Sequence, residues 1–272
     1  MDLYNQTSYE LSEYLTKKYS TSFSLSSRLF NSKIRHHIYA IYGMVRLADE
    51  IVDTYSKPDA ADQLYDFHKK VLDSLKINYS VNPILNAFAI TANKYGITKE
   101  LINPFFDSMF MDLSPQKFDK NTYDKYIYGS AEVVGLMCLR VFVDGNDKYY
   151  QELSGGAKAL GAAYQKVNFL RDMKADYEDL GRIYFPNVEW NEFNDTMKLQ
   201  IVSDIENDFY QANKTIELLP LSSRRAVRAS SYYYHALLDK LRTASTETIK
   251  SKRLRVGNFQ KIVLLLKAAM KS

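Results

Sequence analysis

The sequence is poor in the residues that staple, break or flex a chain. A single cysteine, Cys138, excludes an internal disulfide framework, and its place in the apolar run Val133 to Val143 marks it as a reduced core residue. Six prolines and ten glycines in 272 residues leave no Pro/Gly/Ser-rich linker, so 1–272 is expected to form a single domain. No apolar run approaches the ~20 residues needed to span a bilayer; Ile262 to Leu266 is only five residues. The start, Met1-Asp2-Leu3-Tyr4-Asn5-Gln6, has no basic region followed by an apolar core, so no signal peptide is expected and the protein reads as cytoplasmic. No stretch alternates with the period of a strand, and none is repeated or of low complexity. A Gly-rich dinucleotide fingerprint is missing. So is the Glu-x-x-His motif that a di-iron carboxylate bundle requires.

What is present is a hydrophobic content of 46%, enough for a sizeable core. The 22 tyrosines and 14 phenylalanines furnish either an aromatic-rich core or an aromatic-lined cavity. A net charge of +4, spread through 25% charged residues, does not suggest a nucleic-acid partner. The one basic cluster, Lys250-Ser251-Lys252-Arg253-Leu254-Arg255, reads first as a solvated face. Diphosphate or anionic lipid head groups are its functional alternative.

Helical periodicity runs the length of the chain. It predicts helices over 8–19, from Asn31 or Ser32 to about Tyr55, over 59–75, 83–95, 99–113, 121–143, 147–180, 195–219, 222–244 and 258–271. Asn82, Pro83 and Gly96 frame one of these as cap, first residue and stop. His36, His37 and His68 read as surface or capping residues. Ser20–Ser24, rich in hydroxyls, is expected to interrupt the first helix as a cap or turn, and a loop is expected at Gly181–Pro186.

Two of these helices carry polar stripes. Gln165, Asn168, Asp172 and Asp176 fall at i, i+3, i+7 and i+11, on one helical face. Tyr42, Arg46, Asp49 and Asp53 fall at i, i+4, i+7 and i+11 on another. If both helices line a bundle, like-charged carboxylates face one another, and a divalent cation is the natural compensation. Hard cations such as Mg²⁺ prefer such oxygen-rich surfaces. With Arg46 and Arg171 beside the acids, the pattern suits the handling of a diphosphate.

The motifs Ala48-Asp49-Glu50-Ile51-Val52-Asp53 and Asn168-Phe169-Leu170-Arg171-Asp172-Met173-Lys174-Ala175-Asp176 resemble the two aspartate-rich motifs of the squalene and phytoene synthases. The likeness extends, in the same order, to Ser20-Thr21-Ser22-Phe23, Tyr126-Ile127-Tyr128-Gly129-Ser130-Ala131 and Gly181-Arg182-Ile183-Tyr184-Phe185-Pro186. It implies an all-α isoprenoid synthase fold, a single-domain antiparallel helical bundle with a central cavity. It also implies head-to-head condensation of two prenyl diphosphates, in carotenoid biosynthesis if the substrates are C20.

By that resemblance, two or three Mg²⁺, with Mn²⁺ as an alternative, are held by Asp49, Asp53, Asn168, Asp172 and Asp176. Substrate contacts fall to Ser22, Phe23, Tyr42, Arg46, Tyr128, Gln165, Arg171, Arg182 and Tyr184. Tyr42 and Tyr128 are also candidates for proton relay, and Arg182 and Tyr184 for a lid or a loop anchor. Two departures stand out. Glu132 occupies a position where the family often has glycine, and a tyrosine usual before the terminal basic segment is missing. Peripheral contact with a membrane for product release is a further expectation.

Three other readings compete. Shorter C15 substrates would make the protein a squalene or dehydrosqualene synthase. A non-catalytic assembly factor on the same fold would be free to lose the aspartates, and here all four are present. The di-iron bundle fails on its motif. Ser27, one turn beyond Phe23, is expected to face the cavity; a serine there leaves room for C20 chains and favours phytoene as product.

Overall fold

The computed structural model describes residues 2–55, 57–114 and 118–270. Helices α1 (Leu3–Tyr19), α2 (Thr21–Ser27) and α3 (Ser32–Asp53) open the chain. Helices α4 (Ala60–Ile77), α5 (Pro83–Tyr95) and α6 (Lys99–Asp112) come next. Then come α7 (Lys120–Ile127), a π-helical turn at Tyr128–Glu132, α8 (Val133–Phe142) and α9 (Asp147–Leu180). Helices α10 (Asp195–Ile216), α11 (Leu221–Thr243), α12 (Thr246–Ser251) and α13 (Asn258–Met270) complete it. No strand occurs among the described residues, so the all-α expectation holds.

The helix ends are those the residues dictate. Asn31, Asn82 and Asn146 each accept hydrogen bonds from the first-turn amides of the helix they precede. Gly96 and Gly181 close α5 and α9 at φ +71° and +64°, the left-handed conformation that glycine adopts without strain. The expected end of the last helix at Lys271 lies outside the described residues.

One expectation holds and one changes. Ser20 interrupts α1 as a cap: its side chain accepts from the Phe23 amide and so begins α2. The helix expected over 121–143 is broken by the π turn, which inserts extra backbone and rotates α8 relative to α7. Backbone approach explains its glycines. A Cβ on Gly129 would lie 2.2 Å from the Pro104 carbonyl oxygen, and one on Gly135 2.7 Å from that of Ala157. These small residues serve tight helix packing.

The apolar side chains gather into two cores. One joins Met44, Leu64, Phe88, Phe106 and Met137 from α3, α4, α5, α6 and α8. The other joins Val167, Leu170, Phe209, Leu237 and Ile249 from α9 to α12. Helix α9, 34 residues and so ~50 Å long, takes part in both. His37 corrects the surface reading: it is 2% exposed. Its Nδ1 lies 2.8 Å from Thr91 Oγ1 and 3.1 Å from the Tyr9 hydroxyl. Burial, aided by the nearby His36 and Lys94, lowers its pKa to about 3, so it is neutral.

Candidate active site

A cavity of about 830 Å³ runs between the two cores. Its wall changes character along two helices at once. Along α3 the lining passes from Ile38 and Ile41 to Asp49 and Asp53; along α9 it passes from Leu153 and Leu160 to Asp172 and Asp176. The cavity therefore has an apolar half and an acidic half, and the rise of α3 from Ile38 to Asp53 gives it a depth of about 22 Å. Phe30 and Phe142 stack in the apolar half, with ring centroids 5.4 Å apart.

Ser22, Phe23, Tyr42, Arg46, Asp49, Asp53, Gln165, Asn168, Arg171, Asp172, Asp176, Arg182 and Tyr184 all line this one cavity. Tyr128 does not. The π turn points it toward α9, where its ring lies under Lys158 at 5.5 Å, and Tyr126 takes the place on the wall. Ser27 also departs from expectation. It is fully buried and hydrogen-bonded to the Tyr39 hydroxyl at 3.0 Å, and Ser26 is the neighbour that reaches the cavity.

The charges show that the stripes face each other. Burial raises Asp49 to about 7, with repulsion from Asp53 and Asp112 adding to it. Burial also raises Asp176 to about 7, helped by Asp172 one turn away on the same helix and by Asp53 and Asp112 across the gap. Asp53 is likewise raised by burial, against the pull of Arg182 and Arg46. Asp172 is held differently, by Arg171 Nε at 2.8 Å and by Arg253 Nε at 2.6 Å. Arg46 pairs with Glu50 and lies 3.9 Å from Asp49; its Nε has no hydrogen-bond partner among the described residues. Among the described residues, no three His, Cys, Asp or Glu side chains converge on one point as they stand.

Asp112 escapes any reading by helical spacing. It ends α6 without an acidic partner one turn away, yet the fold buries it at the centre of a network. The Tyr126 hydroxyl donates to one carboxylate oxygen at 2.6 Å and the Tyr184 hydroxyl to the other at 3.1 Å. Arg182 approaches the same carboxylate at 3.6 Å, donates to the Asp112 carbonyl, and lies 4.0 Å from Asp53. Burial, partly offset by these partners, raises Asp112 to about 6. Tyr184 stacks on Phe169 at 4.0 Å, so 181–186 is an anchored loop here. The one local signal of Asp112 is a lone acid closing the apolar run Met109-Phe110-Met111.

The basic cluster also reaches the site. Arg253 and Arg255 line the cavity with Lys261, and Tyr233 and Tyr234 of α11 face it from beside them. The Tyr234 hydroxyl donates to Asn168 Oδ1 at 3.3 Å, and its ring stacks on Tyr164 at 3.9 Å.

Comparison with known proteins agrees with this geometry. The sequence is 28% identical over 207 residues to a 4,4'-diapophytoene synthase of Staphylococcus haemolyticus (strain JCSC1435), covering 75% of this chain and 69% of that one. It is 32% identical over 206 residues to a phytoene synthase of Arthrospira platensis, covering 70% and 64% respectively. The chain thus spans about two thirds of the length of such relatives. In fold it matches a dehydrosqualene synthase crystallised with a ligand, with a TM-score of 0.81, 21% identity and coverage of 97% and 96%. A squalene synthase from Alicyclobacillus acidocaldarius gives a TM-score of 0.78, with 20% identity and coverage of 89% and 95%. The sequence pattern of the squalene/phytoene synthases matches residues 16–260, and with the paired acidic stripes at the mouth of an apolar cavity, the chain belongs to the squalene/phytoene synthase family.

Proposed function

We propose that this protein joins two prenyl diphosphates head to head, and that both substrates are C20, giving phytoene. The observation that carries the reading is the cavity's polarity: acids and arginines at one end, an apolar tunnel behind them. A molecule with a charged head and a hydrocarbon tail fits both halves. Departure of diphosphate from one allylic chain leaves a carbocation, which alkylates the double bond of the second chain. Proton loss closes a cyclopropane, and a second ionisation with rearrangement and proton loss gives the hydrocarbon.

The oxygen-only donor set, with Asp49, Asp53 and Asp176 all resisting ionisation, suits a hard cation. Asp49, Asp53, Asn168, Asp172 and Asp176 would hold two or three Mg²⁺, with Mn²⁺ as a substitute. When bound, such ions would neutralise the diphosphate leaving group. Arg46, its Nε unpartnered among the described residues, Arg171 and Arg182 add fixed positive charge there. Arg253, seated on Asp172, would add a further contact. Tyr42 is raised to about 12 by burial, so it stays protonated and serves as a donor to the diphosphate. The aromatic and aliphatic walls keep water from the carbocation.

For chain length, Ser22 and Ser26 are small side chains one helical turn apart on the tunnel wall. Their size leaves room for the longer tail. The C15 reading draws on the likeness to the 4,4'-diapophytoene synthase and on the Phe30–Phe142 stack, which narrows the apolar half. The test is incubation with Mg²⁺ and either C15 or C20 prenyl diphosphate, with analysis of the extracted hydrocarbon. C40 hydrocarbon from the C20 substrate supports the proposal. C30 hydrocarbon alone, with both substrates offered, refutes the C20 assignment, and no hydrocarbon from either refutes the reaction.

A further inference from the structure

Helix α13 is apolar on two faces, and the described residues cover only one of them. Leu264, Leu265 and Ala268 turn inward against α11 and α2. Phe259, Ile262, Val263, Leu266 and Met270, at i, i+3, i+4, i+7 and i+11, turn outward, with Phe259 81% and Met270 78% exposed. Five large apolar side chains on one exposed helical stripe form a contiguous patch, which isolated exposed residues elsewhere do not.

Charge says what covers it. The chain's net charge is +4, yet seven basic residues and no acid come after Glu247, so everything before that point carries a net −3. These seven are Lys250, Lys252, Arg253, Arg255, Lys261, Lys267 and Lys271. The helices that α13 rests on do not offset them: α2 has no acid, and α11 has only Asp239 against five arginines and lysines. Lys261 and Lys267 lie over the rings of Tyr233 and Tyr232, at 5.6 and 5.1 Å, flanking the apolar stripe. At 13 residues, α13 is too short to cross a bilayer, and no helix among the described residues is long and apolar enough to do so. An apolar stripe flanked by lysines, in a short helix, has the composition of one that lies in the plane of a membrane.

We propose that α13 docks the protein on an anionic lipid bilayer, with Phe259, Ile262, Val263, Leu266 and Met270 entering the head-group boundary and the exposed Lys252 and Lys267, which lie off the cavity wall, meeting the lipid phosphates. Lys261 of α13 and Arg253 and Arg255 before it also line the cavity, so the docked face stands beside the opening. If the chain makes a hydrocarbon, as the proposed function holds, that product would leave toward the bilayer without crossing water.

Flotation of the full chain with vesicles tests the docking without reference to activity. Binding to phosphatidylglycerol-containing vesicles should exceed binding to pure phosphatidylcholine by about tenfold or more and weaken in high salt. Ile262→Asp/Leu266→Asp, at exposed sites outside the cavity wall, should reduce binding to the anionic vesicles by about tenfold or more. Should that pair fail to fold, Phe259→Trp replaces it: its emission should shift to the blue and be quenched by brominated lipid. Three results overturn the proposal: no anionic preference, binding that neither the double substitution nor brominated lipid affects, or a dimer in solution that Ile262→Asp/Leu266→Asp dissolves. The last would give the stripe to a second copy of the chain.

Discussion

Two glycines six residues apart on α9 should respond in opposite directions to the same substitution. Gly155 is exposed, and a Cβ built there meets nothing within 4 Å. Gly155→Ala should therefore gain the ordinary helix-propensity difference, about 1 kcal/mol. A Cβ on Gly161 would lie 2.6 Å from the Ala131 carbonyl oxygen, 3.0 Å from its carbon and 3.2 Å from the Glu132 Cα. All three atoms are backbone, so no side chain can swing away; α9 and the π turn would have to part by about 0.8 Å to reach ordinary contact at 3.4 Å. Overpacking of this kind costs about 1–3 kcal/mol, and here its upper part applies because backbone must move. After the propensity gain, Gly161→Ala should lose about 2 kcal/mol. At about 2 °C per kcal/mol for a chain of this size, melting monitored by circular dichroism should rise ~2 °C for Gly155→Ala and fall ~4 °C for Gly161→Ala. Gly161→Ala should also lose turnover, since its helix pair forms the cavity wall. A Gly161→Ala protein as stable as wild type would refute the close-approach argument.

Asp49→Asn and Asp172→Asn should each lower turnover by about 10²-fold or more with the helical spectrum intact; near-normal activity in either, at saturating Mg²⁺, would sink the two-stripe site. EDTA should abolish activity and leave helicity, because the core is assembled from apolar faces, while Mg²⁺ with diphosphate should raise the melting temperature; helix loss on chelation would contradict this. His37 is kept neutral in the fold at pKa about 3, so below pH ~6.5 the unfolded chain binds the extra proton and stability falls with pH, by at most about 1.4 kcal/mol per unit. Wild type should therefore lose more stability than His37→Gln between pH 7 and 5; parallel losses would show that His37 is not held neutral. Ser26→Phe should suppress C40 product relative to C30 by narrowing the tunnel, whereas Ser27→Phe should destabilise the fold by displacing a buried hydroxyl from Tyr39; unchanged product ratios in Ser26→Phe would remove that residue from the tunnel wall.

What the sequence alone determined was local. Helical period placed α3, α5 and α9 almost to the residue, helped at α3 and α5 by Asn31, Asn82 and Gly96, which act on backbone within one turn of themselves. Spacing likewise placed Asp49 with Asp53 and Asp172 with Asp176, since residues on one helix share a face whatever surrounds them. The tertiary structure decided everything that depends on distance through space. It brought Asp112 between Tyr126, Tyr184 and Arg182, residues 14 to 72 positions away in the chain. It turned Tyr128 away through a π turn for which propensity gives no signal, and it exchanged Ser27 for Ser26 on the tunnel wall. It buried His37, and it covered one face of α13 while leaving the other bare. Periodicity says that a helix has an apolar face; only the packed neighbours determine whether anything lies against it.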